Sequence, residues 1–216
     1  MKQIQIVFLG AEKVGKTSTI NQFLYGSFQD KTDATLGHCY SETVFLPNGI
    51  FQNVKIVDTA GSDEFPAMRR VNIKNGDYLV VMYAVDNRQS LDQALNLCQE
   101  IREIKGKDFN RIILVGNKID KKDTREITTE EVLRKSISEG ILWCTETSAK
   151  LNCNIRCLFQ IILQDYVISY DLYGKSDKGV SKYKTNTKNS IMFKSKKLSV
   201  QNLVYSICST TIPKNA

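Results

Sequence analysis

Eight residues near the start of the chain, Gly10-Ala11-Glu12-Lys13-Val14-Gly15-Lys16-Thr17, carry the pattern G-x-x-x-x-G-K-[ST]. The chemistry this spacing suits is phosphate binding. Glycines let the backbone curl until successive N–H groups point at phosphate oxygens, and a helix starting just beyond adds a favourable dipole. Lys16 is placed to reach the β- and γ-phosphates of a nucleotide, and the Thr17 hydroxyl to ligate Mg2+. A second segment, Asp58-Thr59-Ala60-Gly61, follows the apolar run Val54–Val57. A carboxylate at the carboxyl end of a strand, beside a phosphate loop, can hold Mg2+ directly or through water. Gly61 can offer its N–H to the terminal phosphate and swing when that phosphate leaves. Two further segments bear on a base. In Asn117-Lys118-Ile119-Asp120, the Asp120 carboxylate can accept two hydrogen bonds from guanine N1–H and its 2-amino group, a donor pair adenine lacks. Thr147-Ser148-Ala149-Lys150 can present a backbone N–H to guanine O6.

These segments act together only if the fold brings them to one place. Apolar runs predict strands at Ile4–Leu9, Val54–Val57, Tyr78–Val85, Ile112–Val115 and Ile141–Trp143. Between them, Lys16–Tyr25, Ser90–Ile104, Glu130–Ser138 and Asn154–Tyr170 space their apolar residues as helices do. Asn48-Gly49 reads as a two-residue hairpin turn, joining an antiparallel edge strand at about 40–46 to a strand at about 50–57. The predicted fold is a doubly wound α/β domain. Its sheet is six-stranded and mostly parallel, with one antiparallel edge strand and helices on both faces.

At 216 residues with 42% apolar and 25% charged content, the chain has material for one ordinary core plus an appendage. No apolar run is long enough to span a membrane, and the first residues lack a secretory pattern. Six cysteines without framework spacing point to reduced thiols and a cytoplasmic setting. The net charge of +7 is wholly local. Residues 1–170 balance 21 basic against 21 acidic side chains, whereas residues 171–216 hold nine lysines against Asp171 and Asp177. The expected organisation is therefore a domain at 1–170 and a basic tail at 171–216; its stretch to about Ser190 has too little apolar surface to offset ordering, while Ile191–Ile212 regains apolar residues that could form a short basic amphipathic helix.

In this order and at these intervals, the four motifs resemble those of the Ras-type small GTPases, most like the Ras branch. The resemblance covers residues 2 to about 170. It implies GTP and GDP as ligands with Mg2+, and a P-loop nucleotide-binding domain. Carried onto this sequence, the backbone amides of Glu12, Lys13, Val14, Gly15, Lys16, Thr17 and Ser18 would cradle phosphates. Thr17 and Thr35 would ligate Mg2+ with Asp58 in support. Phe28 would stack on the guanine, with Asp30 in the same pocket. Asn117, Lys118 and Asp120 would hold the base, and Ser148, Ala149 and Lys150 would complete its pocket. Residues 28–40 and 60–74 would be the two switch loops, meeting effector, exchange-factor and activating proteins. The catalytic set would be Lys16, Thr35, Gly61 and the residue after Gly61.

Three departures qualify that picture. Glu12 stands where the family usually has glycine, placing a carboxylate over the γ-phosphate, where it crowds the attacking water and any arginine finger. Ser62 stands where a glutamine usually orients that water, and serine is too short to span the same distance. Glu64 is the nearest longer acceptor. Gly37 and His38 replace acidic residues of the usual effector strand. The expectation is a switch that hydrolyses GTP slowly, with a permanently GTP-loaded scaffold as the alternative. A P-loop kinase is disfavoured by the base-selecting motif and the lack of a lid domain. Cys153 and Cys157, four residues apart, read as core packing rather than zinc ligands. No prenylation box closes the tail and residue 2 is Lys; an acyl chain at Cys208 with the nine lysines could hold an anionic membrane, and a disordered tail with no anchor is the alternative. Nucleic-acid binding is not expected.

Overall fold

Three strands run through the sheet centre because their residues are apolar on both faces: β1 (Ile4–Gly10), β4 (Tyr78–Ala84) and β5 (Ile112–Asn117). β4 and β5 are buried at every residue and β1 at all but Gln5. Such strands show no alternation and read as continuous apolar runs. The computed structural model describes residues 3–30, 35, 37–46, 49–61, 66–141 and 143–173. Flanking the central three are β3 (Phe51–Asp58) and the edge strand β2 (His38–Phe45) on one side, and β6 (Trp143–Glu146) on the other. The order is β2-β3-β1-β4-β5-β6, parallel throughout except for the antiparallel β2–β3 pair. This is the expected doubly wound sheet.

Sheet order fixes where the motifs meet. β1, β3, β5 and β6 are parallel, so the loops that follow them all emerge along one edge. From β1 the chain crosses one way to β3, and from β3 the other way to β4 and beyond. Right-handed crossovers then put α1 (Lys16–Tyr25) on one face, and α2 (Pro66–Asn75), α3 (Arg88–Lys105) and α4 (Thr129–Ser138) on the other. A crevice opens at the carboxyl ends where the strand order reverses, the usual position of a ligand site in such sheets.

On the α2–α4 face, Val7, Leu9, Leu79, Val81, Tyr83, Ile112 and Leu114 alternate inward along their strands. Leu91, Ala94, Cys98 and Ile101 meet them from one stripe of α3, joined by Ile73 of α2 and Val132 of α4. A Leu79→Ala cavity here would cost about 2–5 kcal/mol. On the other face Ile6, Phe8, Ile56, Val80 and Met82 are buried, and Ile20 of α1 with them. Capping marks the helix ends. The Asn87 side chain accepts from Ser90 N–H, Thr128 accepts from Glu131 N–H, and Gly26 closes α1 in the left-handed conformation.

The chain divides into two units, residues 1–45 with 49–156 and residues 46–48 with 157–216, and all four motifs lie in the first. The last helix, α5 (Ile155–Tyr173), runs three residues beyond the predicted end. In it Leu158, Phe159, Ile161 and Ile162 are buried. Three other expectations are corrected. β6 begins at Trp143 rather than Ile141, and its polar end reaches Glu146. Residues 66–74, expected as loop, lie in α2, whose only buried side chain is Ile73. The β2–β3 register closes at Phe45 opposite Phe51, so five residues connect the strands rather than two. Gly49 has φ +82°, while Pro47 and Asn48 lie outside the described residues. The tail beyond Tyr173, including Cys208, also lies outside them. Among the described residues no helix is long and apolar enough to cross a membrane.

Candidate functional site

Two glycines permit close approaches at the loop after β1, one within it and one after β3. Gly15, the residue before α1, has φ +99° and ψ +28°, and a Cβ there would lie 2.2 Å from Asn117 Nδ2. Gly61 lies so close to the loop that a Cβ would come 2.5 Å from the Glu12 nitrogen. Lys13 holds φ +59° without being glycine, a left-handed conformation costing roughly 1–2 kcal/mol. Within the loop Val14 and Lys16 are buried, Ser18 is half-buried, and Glu12 and Lys13 face solvent. The Lys16 ammonium curls back over the loop, donating to the carbonyls of Gly10 (2.9 Å) and Ala11 (2.8 Å). Burial pulls its pKa down to about 8, against the raising influence of the Asp58 and Glu12 carboxylates.

Beside Lys16 three oxygen-bearing side chains converge. Thr17 Oγ1 donates to Asp58 Oδ2 at 2.6 Å and lies 2.9 Å from Thr35 Oγ1. Since the Thr17 proton is committed to Asp58, Thr35 is the donor in the second contact. The β2–β3 ladder brings them together, because its register ends at His38 opposite Asp58, three residues after Thr35. Asp58 is fully buried. Burial pushes its carboxyl upward, opposed by the Thr17 hydrogen bond and by the charges of Lys16 and His38. Its Oδ1 is buried without a hydrogen-bond partner. A carboxylate with a leftover oxygen, beside two hydroxyls, has the hard-oxygen character a divalent cation such as Mg2+ takes. The three residues fit that ion.

The loops after β5 and β6 are knitted to the phosphate loop by Asn117. Its Nδ2 donates to the Val14 carbonyl (2.9 Å), and its Oδ1 accepts from Ala149 N–H and Thr147 Oγ1, each at 3.2 Å. Ser148 Oγ donates to Asp120 Oδ1 at 2.5 Å and accepts from Leu151 N–H at 3.0 Å. Backbone bonds finish the join: Ile119 N–H to Thr147 O (3.2 Å) and Thr147 N–H to Gly116 O (2.7 Å). Arg125 pairs with Glu146 just ahead of Thr147, tying α4's approach to the end of β6. At the rim Lys150 Nζ stands 3.6 Å from Asp30 Oδ1, with both side chains largely exposed. Phe28 is half-buried after α1 and is not a core residue.

The structure therefore gathers Lys16, Thr17, Thr35, Asp58 and Gly61 at one end of the crevice, and Asn117, Asp120, Ser148 and Ala149 at the other. Ser62 and Glu64 lie outside the described residues. Cys153 falls before α5, where its backbone bridges to Ser148. Sequence reading missed Gln22, a buried polar residue on α1. With its amide nitrogen turned toward them, Gln22 donates to the Ala149 and Ser27 carbonyls at 3.2 Å, and its oxygen accepts from Asn152 Nδ2 at 3.2 Å. The signal available was weak, because α1 also buries Lys16 and Thr19 and a glutamine does not stand out on so polar a helix. Also unforeseen is a cavity of about 160 Å³ behind the loop, lined by Ala11, Gly61, Arg69, Asn96 and Glu100 among others.

The family model described as the Ras family matches residues 5–167. The chain is similar to GTP-binding protein Di-Ras2 of Macaca fascicularis, 34% identical over 178 residues, covering 81% of this chain and 88% of that protein. The mouse (Mus musculus) protein of the same name gives the same figures: 34% identity, 81% and 88% coverage. Ras-like protein 1 of Saccharomyces cerevisiae is 31% identical over 166 residues, covering 76% of this chain and 52% of that protein. The chain belongs to the Ras family of small GTPases.

Proposed function

We propose that the protein is a guanine-nucleotide switch that binds GTP and GDP with Mg2+, hydrolyses GTP slowly, and signals through residues 28–40 and 60–74. The observation that carries this reading is the cluster of Thr17, Thr35 and Asp58. It sits beside a glycine-shaped loop that Asn117 bolts to a base-selecting loop. Phosphate oxygens would take the place of the Gly10 and Ala11 carbonyls as partners of the Lys16 ammonium, and backbone amides of residues 12–18 would hold the rest. The Asp120 carboxylate selects guanine, with the Ser148 hydroxyl fixing its orientation. Mg2+ held by Thr17 and Thr35, with Asp58 in support, would neutralise charge on the phosphate oxygens. Thr35 belongs to the first switch, so its hold on Thr17 links that loop to the state of the site.

Slow hydrolysis rests on two residues. Glu12 brings a carboxylate close enough to act on the Lys16 ammonium, where it repels a phosphate chain and obstructs an arginine finger. Ser62 lacks the reach to orient water. An arginine finger is worth about 10³–10⁵ in rate where it operates. The same two residues favour a second reading, a GTP-loaded scaffold with negligible turnover. Titration with GTP and ATP tests the main proposal: strong preference for GTP is expected, and equal binding of both, or of neither, defeats it. The nucleotide released from purified protein separates the two readings, since mixed GDP and GTP means a cycle and GTP alone a scaffold.

A further inference from the structure

Asp86 belongs to none of the four motifs, yet it stands between two lysines of the base-side loop. It lies two residues past the end of β4, and the neighbouring Val85 N–H donates to the Asn117 carbonyl at 3.0 Å. Its Oδ2 accepts from Lys121 Nζ at 2.5 Å, and its Oδ1 is 3.8 Å from Lys118 Nζ. The Asp86 side chain is 11% exposed, against 48% for Lys121 and 27% for Lys118. Oδ1 is buried with no hydrogen-bond donor of its own, and the Lys118 ammonium stands just beyond bonding distance. The two lysines sit on one turn, closed by Lys121 N–H to Lys118 O at 2.9 Å. Burial pushes the Asp86 carboxyl up, but the Lys121 bond and the charges of both lysines outweigh it and hold it below the usual carboxylate range. Burial lowers the Lys118 pKa, with Asp86 the leading influence against it.

We propose that Asp86 is a positioning residue for the nucleotide: it shares its carboxylate between Lys118 and Lys121 and holds the Lys118 side chain in place along the base. This rests on the reading that Asn117–Asp120 receives guanine, and it adds a residue that acts only through Lys118. A lysine stem is flexible, and its ordering opposes binding unless something fixes it beforehand. Lys118 is anchored by a left-handed backbone at φ +70° and lies between Asn117, which is bonded to Val14, and Asp120, which is bonded to Ser148. Asp86 fixes the far end of the same side chain. Lys121, nearer and more exposed, competes for that carboxylate.

The test is the release rate of a fluorescent GDP analogue from the full chain, in a double-mutant cycle. Asp86→Ala is expected to speed release about tenfold, the scale of losing one preorganised side chain. In a Lys118→Ala background the same change should have no further effect, and Lys121→Ala should not speed release. The isosteric Asp86→Asn, which keeps the fold but not the charge, should fall between wild type and Asp86→Ala. Additive effects of Asp86→Ala and Lys118→Ala would overturn the proposal, as would an unchanged rate in Asp86→Ala. A Lys121→Ala variant that releases as fast as Asp86→Ala would also overturn it. If the wild type held the adenine analogue as firmly as the guanine one, the guanine reading would fall and this proposal with it.

Discussion

The two ends of the crevice are built differently. On the base side most of the motif's polar groups are braced against neighbours: Asn117 uses both ends of its amide, Asp120 Oδ1 accepts from Ser148, and Ser148 accepts from Leu151 N–H. On the phosphate side groups are left over. Asp58 has a buried oxygen without a partner, and the Lys16 ammonium borrows two loop carbonyls. The first arrangement is a rigid gauge, braced by its own hydrogen bonds before a base arrives. The second is a socket whose polar atoms are satisfied by what enters it. Substitutions on the base side should therefore damage selectivity and fold together, and those on the phosphate side should damage chemistry with little effect on the fold.

The largest effect expected is at Asp120. A site built to pair donors rejects an analogue lacking them by about 10⁴–10⁵. Asp120→Ala should therefore erase most of the preference for GTP over ATP in a competition assay. Retained preference would move base selection elsewhere and break the contrast. Next is the phosphate side. Glu12→Gly combined with Ser62→Gln should raise single-turnover hydrolysis about tenfold alone, and on the order of 10³ with an arginine-supplying activating protein. Unfolding by urea should not change. An unaltered rate would mean that neither residue limits turnover.

A paired comparison sharpens the same point. Asn117→Ala leaves the buried Val14 carbonyl and Ala149 N–H without partners, at about 1–3 kcal/mol each. A drop of about 3 kcal/mol in nucleotide-free stability is expected from urea unfolding. Thr35→Ala removes one hydroxyl from a half-buried loop position and should change that stability by less than about 0.5 kcal/mol. It should nevertheless blunt the acceleration of nucleotide release that chelating Mg2+ produces. Equal losses of stability in the two variants would show both ends to be structural.

The motifs and the sheet were legible because their signals are local: continuous apolar runs make buried strands, and glycine–lysine–threonine spacing makes a phosphate loop. What escaped reading depends on partners distant in sequence. α2 buries only Ile73, so Pro66–Asn75 has almost no apolar stripe and reads as loop. β6 ends in Thr145 and Glu146, whose polarity hides a strand that pairs with β5 up to Gly116. Asn117 was read as a base contact, while its bond to Val14 crosses 103 positions of chain. Gln22 and Asp86 are single polar residues whose worth appears only when Ala149 and Lys118 stand beside them.

The smallest effect marks where the gauge ends. Lys150 and Asp30 join the base-side loop to the segment after α1 at 3.6 Å, but their side chains are 54% and 78% exposed. Solvent screens such a pair, and exposed ion pairs contribute about 0–1 kcal/mol. Asp30→Asn should speed nucleotide release by less than about fivefold, and the difference should vanish near 1 M salt, where charges are screened within about 3 Å. A larger effect that persists in salt would mean that the rim is clamped as firmly as Asp120 and Ser148. The boundary between rigid gauge and open socket would then fall at Asp30, after α1, rather than at Lys150.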